Sequence, residues 1–197
     1  MTPRDRLAAA SQALKPLQQG ELDGLCGLYA IINAIRLALY PDCKLTRPES
    51  AALFAAGITE LRKARSLPST ILTGIHDPSW RRAGDAIVFE ATRRFGESFV
   101  IDRFRLTRSI PDRELLRLIR LIIRAGNPVL LRVQGTVDHW TVVCRFSKSR
   151  LMLFDSSGLR WLSVTSLAVA TGRRTARYRV PLSGLAVLLR SLNQRPP

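Results

Sequence analysis

The sequence predicts an α+β fold in which helices come first and antiparallel strands second. Up to about Gly126 the apolar residues recur at helical spacing, whereas after Asn127-Pro128 they fall into short runs divided by Ser, Gly and Arg. That change of period is how a chain reads when its helices are segregated from an antiparallel sheet. A third observation is a cysteine among small residues, Gly24-Leu25-Cys26-Gly27, at the head of a long apolar helical pattern.

Taken in order, Met1 to about Lys15 is a polar, Ala-rich lead-in, compatible with a short helix, broken by Pro16 and expected to be loosely held. Residues 16–197 read as one domain. Leu17 to Leu25 is a loop carrying Gln18, Gln19 and Asp23. Leu28, Ile31, Ile32, Ile35 and Leu39 then predict a buried helix from Cys26 to about Tyr40, stopped by Pro41. Arg47-Pro48-Glu49-Ser50 opens a second helix over Ala51 to Ala56, ended by Gly57, with another turn or two between Thr59 and Arg65. Ser66 to Trp80, with Pro68, Gly74 and Pro78, reads as a loop at the rim of a cleft. Asp85 to Phe95 is helical with Gly96 as its stop, and Phe99 to Leu106 is extended. Ser109-Ile110-Pro111-Asp112-Arg113-Glu114 starts a helix whose stripe is Leu115, Leu118, Ile119, Ile122 and Ile123. Strands follow at Val129 to Val133, His139 to Phe146, Arg150 to Asp155 and Trp161 to Val164. Tyr178 to Leu182 fits a further strand, while Ser166 to Ala170 and Leu185 to Leu192 are left open.

Composition narrows the function. No segment reads as a signal peptide or a membrane span, which predicts a cytoplasmic protein. The three cysteines lack C-x-x-C spacing, so reduced thiols are expected and not a disulfide framework or zinc site. With two histidines and no acidic cluster, neither a metal nor a cofactor is predicted. The formal charge is +16, and only four of the 31 basic residues are lysine. Such a surplus attracts nucleic acid, anionic membranes or acidic proteins. Clusters at Arg62-Lys63-Ala64-Arg65, Arg81-Arg82, Arg93-Arg94 and Arg173-Arg174 are not interleaved with aromatics, and no nucleic-acid-binding motif is legible. Solvated faces and an arginine-biased composition are therefore favoured over an anionic partner, with nucleic acid kept as the minor alternative.

The chemistry points to Cys26. A thiol in the first turn of a helix meets unpaired N–H groups and the positive end of the dipole, which favour thiolate, while Gly24 and Gly27 let a substrate backbone approach. His139 opens one strand and Asp155 ends the next, and if the connecting loop holds an odd number of residues the two share a face. Trp140, Val142, Cys144 and Phe146 would then point to the core, with His139 and Thr141 towards the cleft. A carboxylate beside an imidazole orients a general base and stabilises its protonated form. Read alone, Asp155 in Asp155-Ser156-Ser157-Gly158 is turn chemistry. The other histidine, His76, lies in the Pro- and Gly-rich loop and is not assigned a catalytic role.

A Gln before an Asp-Gly-Leu-Cys-Gly helix start (Gln19, then Asp23 to Gly27), a distant His139-Trp140 leading a β-rich run, and Asp155 at the end of the next strand together resemble the papain-like cysteine peptidase superfamily. The similarity is strongest to the peptidase domain that removes double-glycine leader peptides. It implies a papain-like fold with the nucleophile at a helix N-terminus packed on a C-terminal sheet. By the same resemblance Cys26 is the nucleophile, His139 the general base and acid, Asp155 its orienting group, and Gln19 the oxyanion donor beside the Cys26 N–H. Gly24, Gly27, Asp23 and Trp140 would contact a protein or peptide substrate, one with a glycine-rich tail or acidic character being compatible. Leader peptidases carry their acidic residue directly before Cys-Gly, whereas here Asp23 precedes Cys26 by three, and the Gln19-to-Cys26 gap is one residue longer than papain's. Asp23-Gly24-Leu25-Cys26 is also similar to the Asp-Gly-x-Cys of ovarian-tumour-type deubiquitinases, which implies an isopeptidase, and an amine in place of water would make an acyltransferase. The alternative from another class is an idle papain-like scaffold serving as a basic binding module for nucleic acid or an acidic protein.

Overall fold

The computed structural model describes residues 1–20, 23–64, 67–104, 110–170 and 175–191. Among the described residues six α-helices and an eight-stranded, largely antiparallel sheet make the fold a mixed helix and sheet architecture, with the longer helices preceding most of the strands. At its centre is α2 (Cys26–Leu39), which is apolar but for Asn33 and Arg36 and buries ten of its 14 residues against helices and strands. Its only buried polar side chain is Asn33, fully enclosed.

The lead-in is not loose. Helix α1 (Pro3–Ala13) opens on a Thr2–Asp5 capping box, and Leu7 and Ala10 are buried in the common core, so apolar contact seats the segment where its polar composition suggested freedom. Helix α3 (Arg47–Ala64) runs straight through Gly57. There a Cβ would stand 2.9 Å from Ile87 Cδ1, so the glycine serves close helix packing and does not end the helix. Most of the stretch expected as a rim loop is also helical. Arg65 and Ser66 lie outside the described residues; from there helix α4 (Leu67–Thr73) and the early start of α5 (Asp77–Phe95), with Pro78 in its first turn, leave only Gly74 to His76 irregular among the described residues. Gly96 stops α5 in the left-handed conformation. Helix α6 (Asp112–Arg124) buries Leu115, Ile119, Ile122 and Ile123 of its expected stripe, while Leu118 is half-buried.

The strands are β1 (Ser98–Arg103), β2 (Val129–Gly135), β3 (His139–Phe146), β4 (Arg150–Leu153), β5 (Trp161–Ser163), β6 (Leu167–Val169), β7 (Tyr178–Val180) and β8 (Leu185–Ser191). The sheet runs in the order β1-β8-β2-β3-β4-β5, with β7 added to the end of β2 and β6 parallel to β7. The two stretches left open are thus strands. Leu106, Ser109, the Arg173-Arg174 pair and Leu192 lie outside the described residues.

The β3–β4 register decides the site and differs from expectation. Phe146 pairs with Leu151, and Ser147 N donates to Arg150 O at 2.8 Å, so the turn is even-membered. Carried along the strands, that register would put His139 and Asp155 on opposite faces. A β-bulge between Val143 and Arg145 resets it: Val143 pairs with Leu153, and Phe154 N donates to Val142 O at 2.8 Å. Thr141 then stands opposite Asp155 and His139 one diagonal step away on the same face. The expected split of β3 into core and cleft sides also fails. Every residue from His139 to Cys144 is buried, because α1, α2 and α6 all contact this strand, while Phe146 is only half-buried. Among the described residues no helix is long and apolar enough to cross a membrane.

Candidate active site

Helix α2 begins at Cys26, and its N-cap residue, Leu25, makes no side-chain cap bond. No capping oxygen therefore competes for the first N–H groups of the helix. The turn before it is held by Asp23, whose carboxylate accepts from Gly20 N at 2.7 Å and Leu25 N at 3.1 Å. Cys26 is half-buried, and its Sγ accepts from the backbone N–H of Trp140 at 3.4 Å. That bond fixes the start of α2 to the start of β3, where His139 is the preceding residue.

His139 is 6% exposed. Its Nε2 lies 2.7 Å from Asp155 Oδ2, and the Cys26 side chain is near enough to the ring to act on its protonation. With Nε2 on the carboxylate, Nδ1 is the nitrogen left for the thiol. Burial works to lower the His139 pKa, but the hydrogen bond to Asp155, the nearness of Cys26 and the charge of both outweigh it, and the value is pushed up to about 9. Asp155 has the mirror-image balance: burial favours its neutral form, yet the bond to His139 and the imidazolium charge hold its carboxyl below the usual carboxylate range.

The two readings of Asp155, turn cap and histidine partner, are both correct, one oxygen to each. Oδ1 accepts from Ser157 N at 2.8 Å, Ser157 Oγ at 2.7 Å and Leu159 N at 3.1 Å, which leaves Oδ2 to His139. The side chain is fully enclosed and four hydrogen bonds hold it, so its position is over-determined.

Gln19 reaches the same place along a strap. Leu17 is clamped by Asn33, which accepts from Leu17 N at 2.8 Å and donates to Leu17 O at 3.2 Å. Two residues later, Gln19 N donates to Ser156 O at 3.1 Å and Gln19 Oε1 accepts from Ser156 Oγ at 3.1 Å. Its Nε2 donates to Asp23 O at 3.3 Å, leaving a second amide hydrogen for another acceptor. Gln18 turns to the backbone oxygens of Pro16 and Asp155 instead. Sequence reasoning missed Asn33 and Ser156. Asn33 left one signal, a lone amide in an otherwise apolar helix.

A cleft of about 400 Å³ opens onto Cys26 and His139, lined also by Gln19, Asp23, Trp140 and the Leu72 to His76 wall. His76 stands in that wall as the N-cap of α5. The two glycines are small for the protein's own sake. A Cβ on Gly24 would meet Gly74 N at 2.7 Å, and one on Gly27 would meet Trp80 Cδ1 at 2.5 Å. Trp80 also donates Nε1 to Gly27 O at 3.2 Å and stacks on Trp140 with ring centroids 3.9 Å apart. Trp140 is thus chiefly a packing residue, although its buried Nε1 has no partner among the described residues. The cleft's one arginine, Arg132, is occupied. It forks onto Asp138 at 2.8 Å and reaches Asp77 at 2.6 Å, tying the approach to β3 to the start of α5. Among the described residues no three His, Cys, Asp or Glu side chains converge as metal ligands. Comparison with models of known protein families and with curated proteins gave no match.

Proposed function

We propose that the protein is a cysteine peptidase of papain-like architecture that cleaves a peptide or isopeptide bond through a thioester. The observation that carries the reading is the placement of His139 between a buried carboxylate, 2.7 Å from Nε2, and a thiol open to a cleft at a helix N-terminus. A structural histidine needs only one such partner.

The Cys26 thiolate attacks the acyl carbon and a C–S bond forms, with the oxyanion received by the Cys26 N–H and the free amide hydrogen of Gln19. As the tetrahedral adduct collapses, the C–N bond breaks and the His139 imidazolium gives its proton to the leaving amine. Water then attacks the thioester, His139 takes the proton, and thiolate leaves. Asp155 keeps the ring in place and stabilises its cation throughout. Leu72, 76% exposed on the rim, offers an apolar contact to the substrate chain. With Arg132 already paired, no unpaired Lys or Arg among the described residues lines the cleft to select an acidic segment. A neutral, small-residue tail suits the site better. An amine in place of water would run acyl transfer on the same groups.

The test is covalent labelling by an electrophilic peptide probe ending in Gly-Gly. Wild-type protein should label on Cys26 alone, and His139→Ala should abolish labelling while Asp155→Ala leaves a remnant. Equal labelling of wild type and His139→Ala would leave the idle-scaffold reading in its place.

A further inference from the structure

The chain's positive charge is unevenly shared. Beyond His139 the sequence holds ten Lys and Arg but one acidic residue, Asp155, which is buried against His139. Earlier in the chain arginines find carboxylates, as Arg93 does on Glu90, Arg103 on Asp85 and Arg117 on Glu114. Part of the surplus collects at the tip of the β3–β4 hairpin. On one side of the tip Arg4, Arg120 and Arg124 stand 5.3, 5.7 and 5.5 Å from the centre of the Phe146 ring. On the other, Arg150 lies 4.1 Å over Trp161, an indole that is 43% exposed on the edge strand β5. Lys148 bridges the two sides, and its carbonyl accepts from Arg120 Nη2 at 3.2 Å. None of these five cations has a carboxylate within ion-pair distance among the described residues. The nearby Asp5 is engaged by Thr2 in the α1 capping box.

We propose that this end of the sheet is a docking surface for single-stranded nucleic acid. Arg4, Arg124 and Arg150 are exposed beside aromatic rings and can each offer guanidinium N–H groups to a phosphate, while Arg120 already donates to the Lys148 carbonyl. The Trp161 indole, 43% exposed on the Arg150 side of the tip, adds an aromatic surface on which a base can stack. An acidic polypeptide would supply carboxylates but nothing planar for Trp161. The interleaving of arginine with aromatics, absent along the sequence, is assembled across α1, α6, β3, β4 and β5. The surface lies at the opposite end of β3 from His139, roughly 23 Å away at the usual rise per strand residue. It therefore neither depends on the peptidase reading nor blocks the cleft.

The experiment is fluorescence anisotropy of the full chain with labelled oligo-dT and oligo-U of about 20 nucleotides, across a salt series. Affinity should fall steeply with salt, by roughly 0.7 in the logarithmic slope for each phosphate neutralised. Combined Arg4→Gln, Arg124→Gln and Arg150→Gln, all exposed, should weaken binding at least about tenfold and flatten the slope by about two. Arg47→Gln, Arg62→Gln and Lys63→Gln, the same charge removed from exposed positions of α3, should change it less than about threefold. Binding should quench tryptophan fluorescence, and Trp161→Phe should remove the quench, since Trp80 and Trp140 are buried. Separate dT and U titrations distinguish DNA from RNA as the source. Equal losses from the two triple variants, or polyglutamate displacing the oligonucleotide at matched charge, would overturn the proposal.

Discussion

Replacing Asp155 by Asn and by Ala separates its two duties. Asparagine keeps an oxygen for Ser157 N and Leu159 N, so the turn survives. It turns an N–H towards His139 Nε2, which must then accept, and the ring is left with its proton on Nδ1, the wrong tautomer to take one from the thiol. The raised His139 pKa, about 9 against 6.5, corresponds at 1.36 kcal/mol per unit to about 3 kcal/mol favouring imidazolium in the folded state. Because the folded value is raised, that stability is fully present below about pH 6.5 and lost as pH rises through about 9. Asp155→Asn should remove most of it, leaving stability nearly level between pH 6 and 9.5. Asp155→Ala additionally orphans two backbone N–H groups, at roughly 1–3 kcal/mol each, and should be the less stable variant at every pH. Urea denaturation at several pH values measures the slope. Histidine C–H proton NMR reads the site directly, because the chain has two histidines and the His139 signals are assigned by comparison with a His76→Gln variant. Part of the shift comes from Cys26, so a Cys26→Ala background should lower the His139 value by less than Asp155→Asn does. A ring still titrating near 9 in Asp155→Asn would refute the ion-pair account.

Brief alkylation near neutral pH should modify Cys26 first among the three thiols by mass spectrometry, because burial pushes Cys144 up to about 11 and raises Cys43 as well. Gly27→Ala should cost roughly 1–3 kcal/mol by forcing Trp80 off Trp140, with a matching loss of near-ultraviolet circular dichroism. Asn33→Ala should free the Leu17 backbone and slow probe labelling more than hydrolysis-independent stability measures would suggest, an effect read by comparing labelling rate with urea midpoint. On the acid side, the lowered Asp155 pKa contributes stability present above about 3.8 and lost as pH falls through the folded value, so the urea midpoint should decline below about pH 4.

The fold was legible where local chemistry and tertiary packing agree. The α2 pattern, the Pro111 start and apolar stripe of α6, and the strands after Pro128 are each what the residue types favour alone. It was illegible where packing overrides local preference. Gly57 reads as a stop because glycine has poor helix propensity, but a neighbouring isoleucine needs its space. Pro78 reads as a breaker, yet in the first turn of α5 its missing N–H costs nothing. A two-residue difference in where a proline falls decides between the two readings, and no local rule fixes it.

The site shows the same division more sharply. Cys26, His139 and Asp155 could be picked out by residue type and position, and the structure does bring them together, but the route to that geometry was not the one inferred. An even turn would have parted His139 from Asp155, and the extra residue at Cys144 reunites them. Nothing in Val142-Val143-Cys144-Arg145 marks a bulge, since none of these residues is a glycine. Register along a strand is a sum over its whole length, so one unmarked insertion reverses every inference beyond it. What fixes the register here is the buried far end, where Asp155 is held by Ser157, Leu159 and His139 at once. Because a misaligned strand would bury that carboxylate without its imidazole, at a cost of several kcal/mol, the pair that the bulge serves is also what selects it.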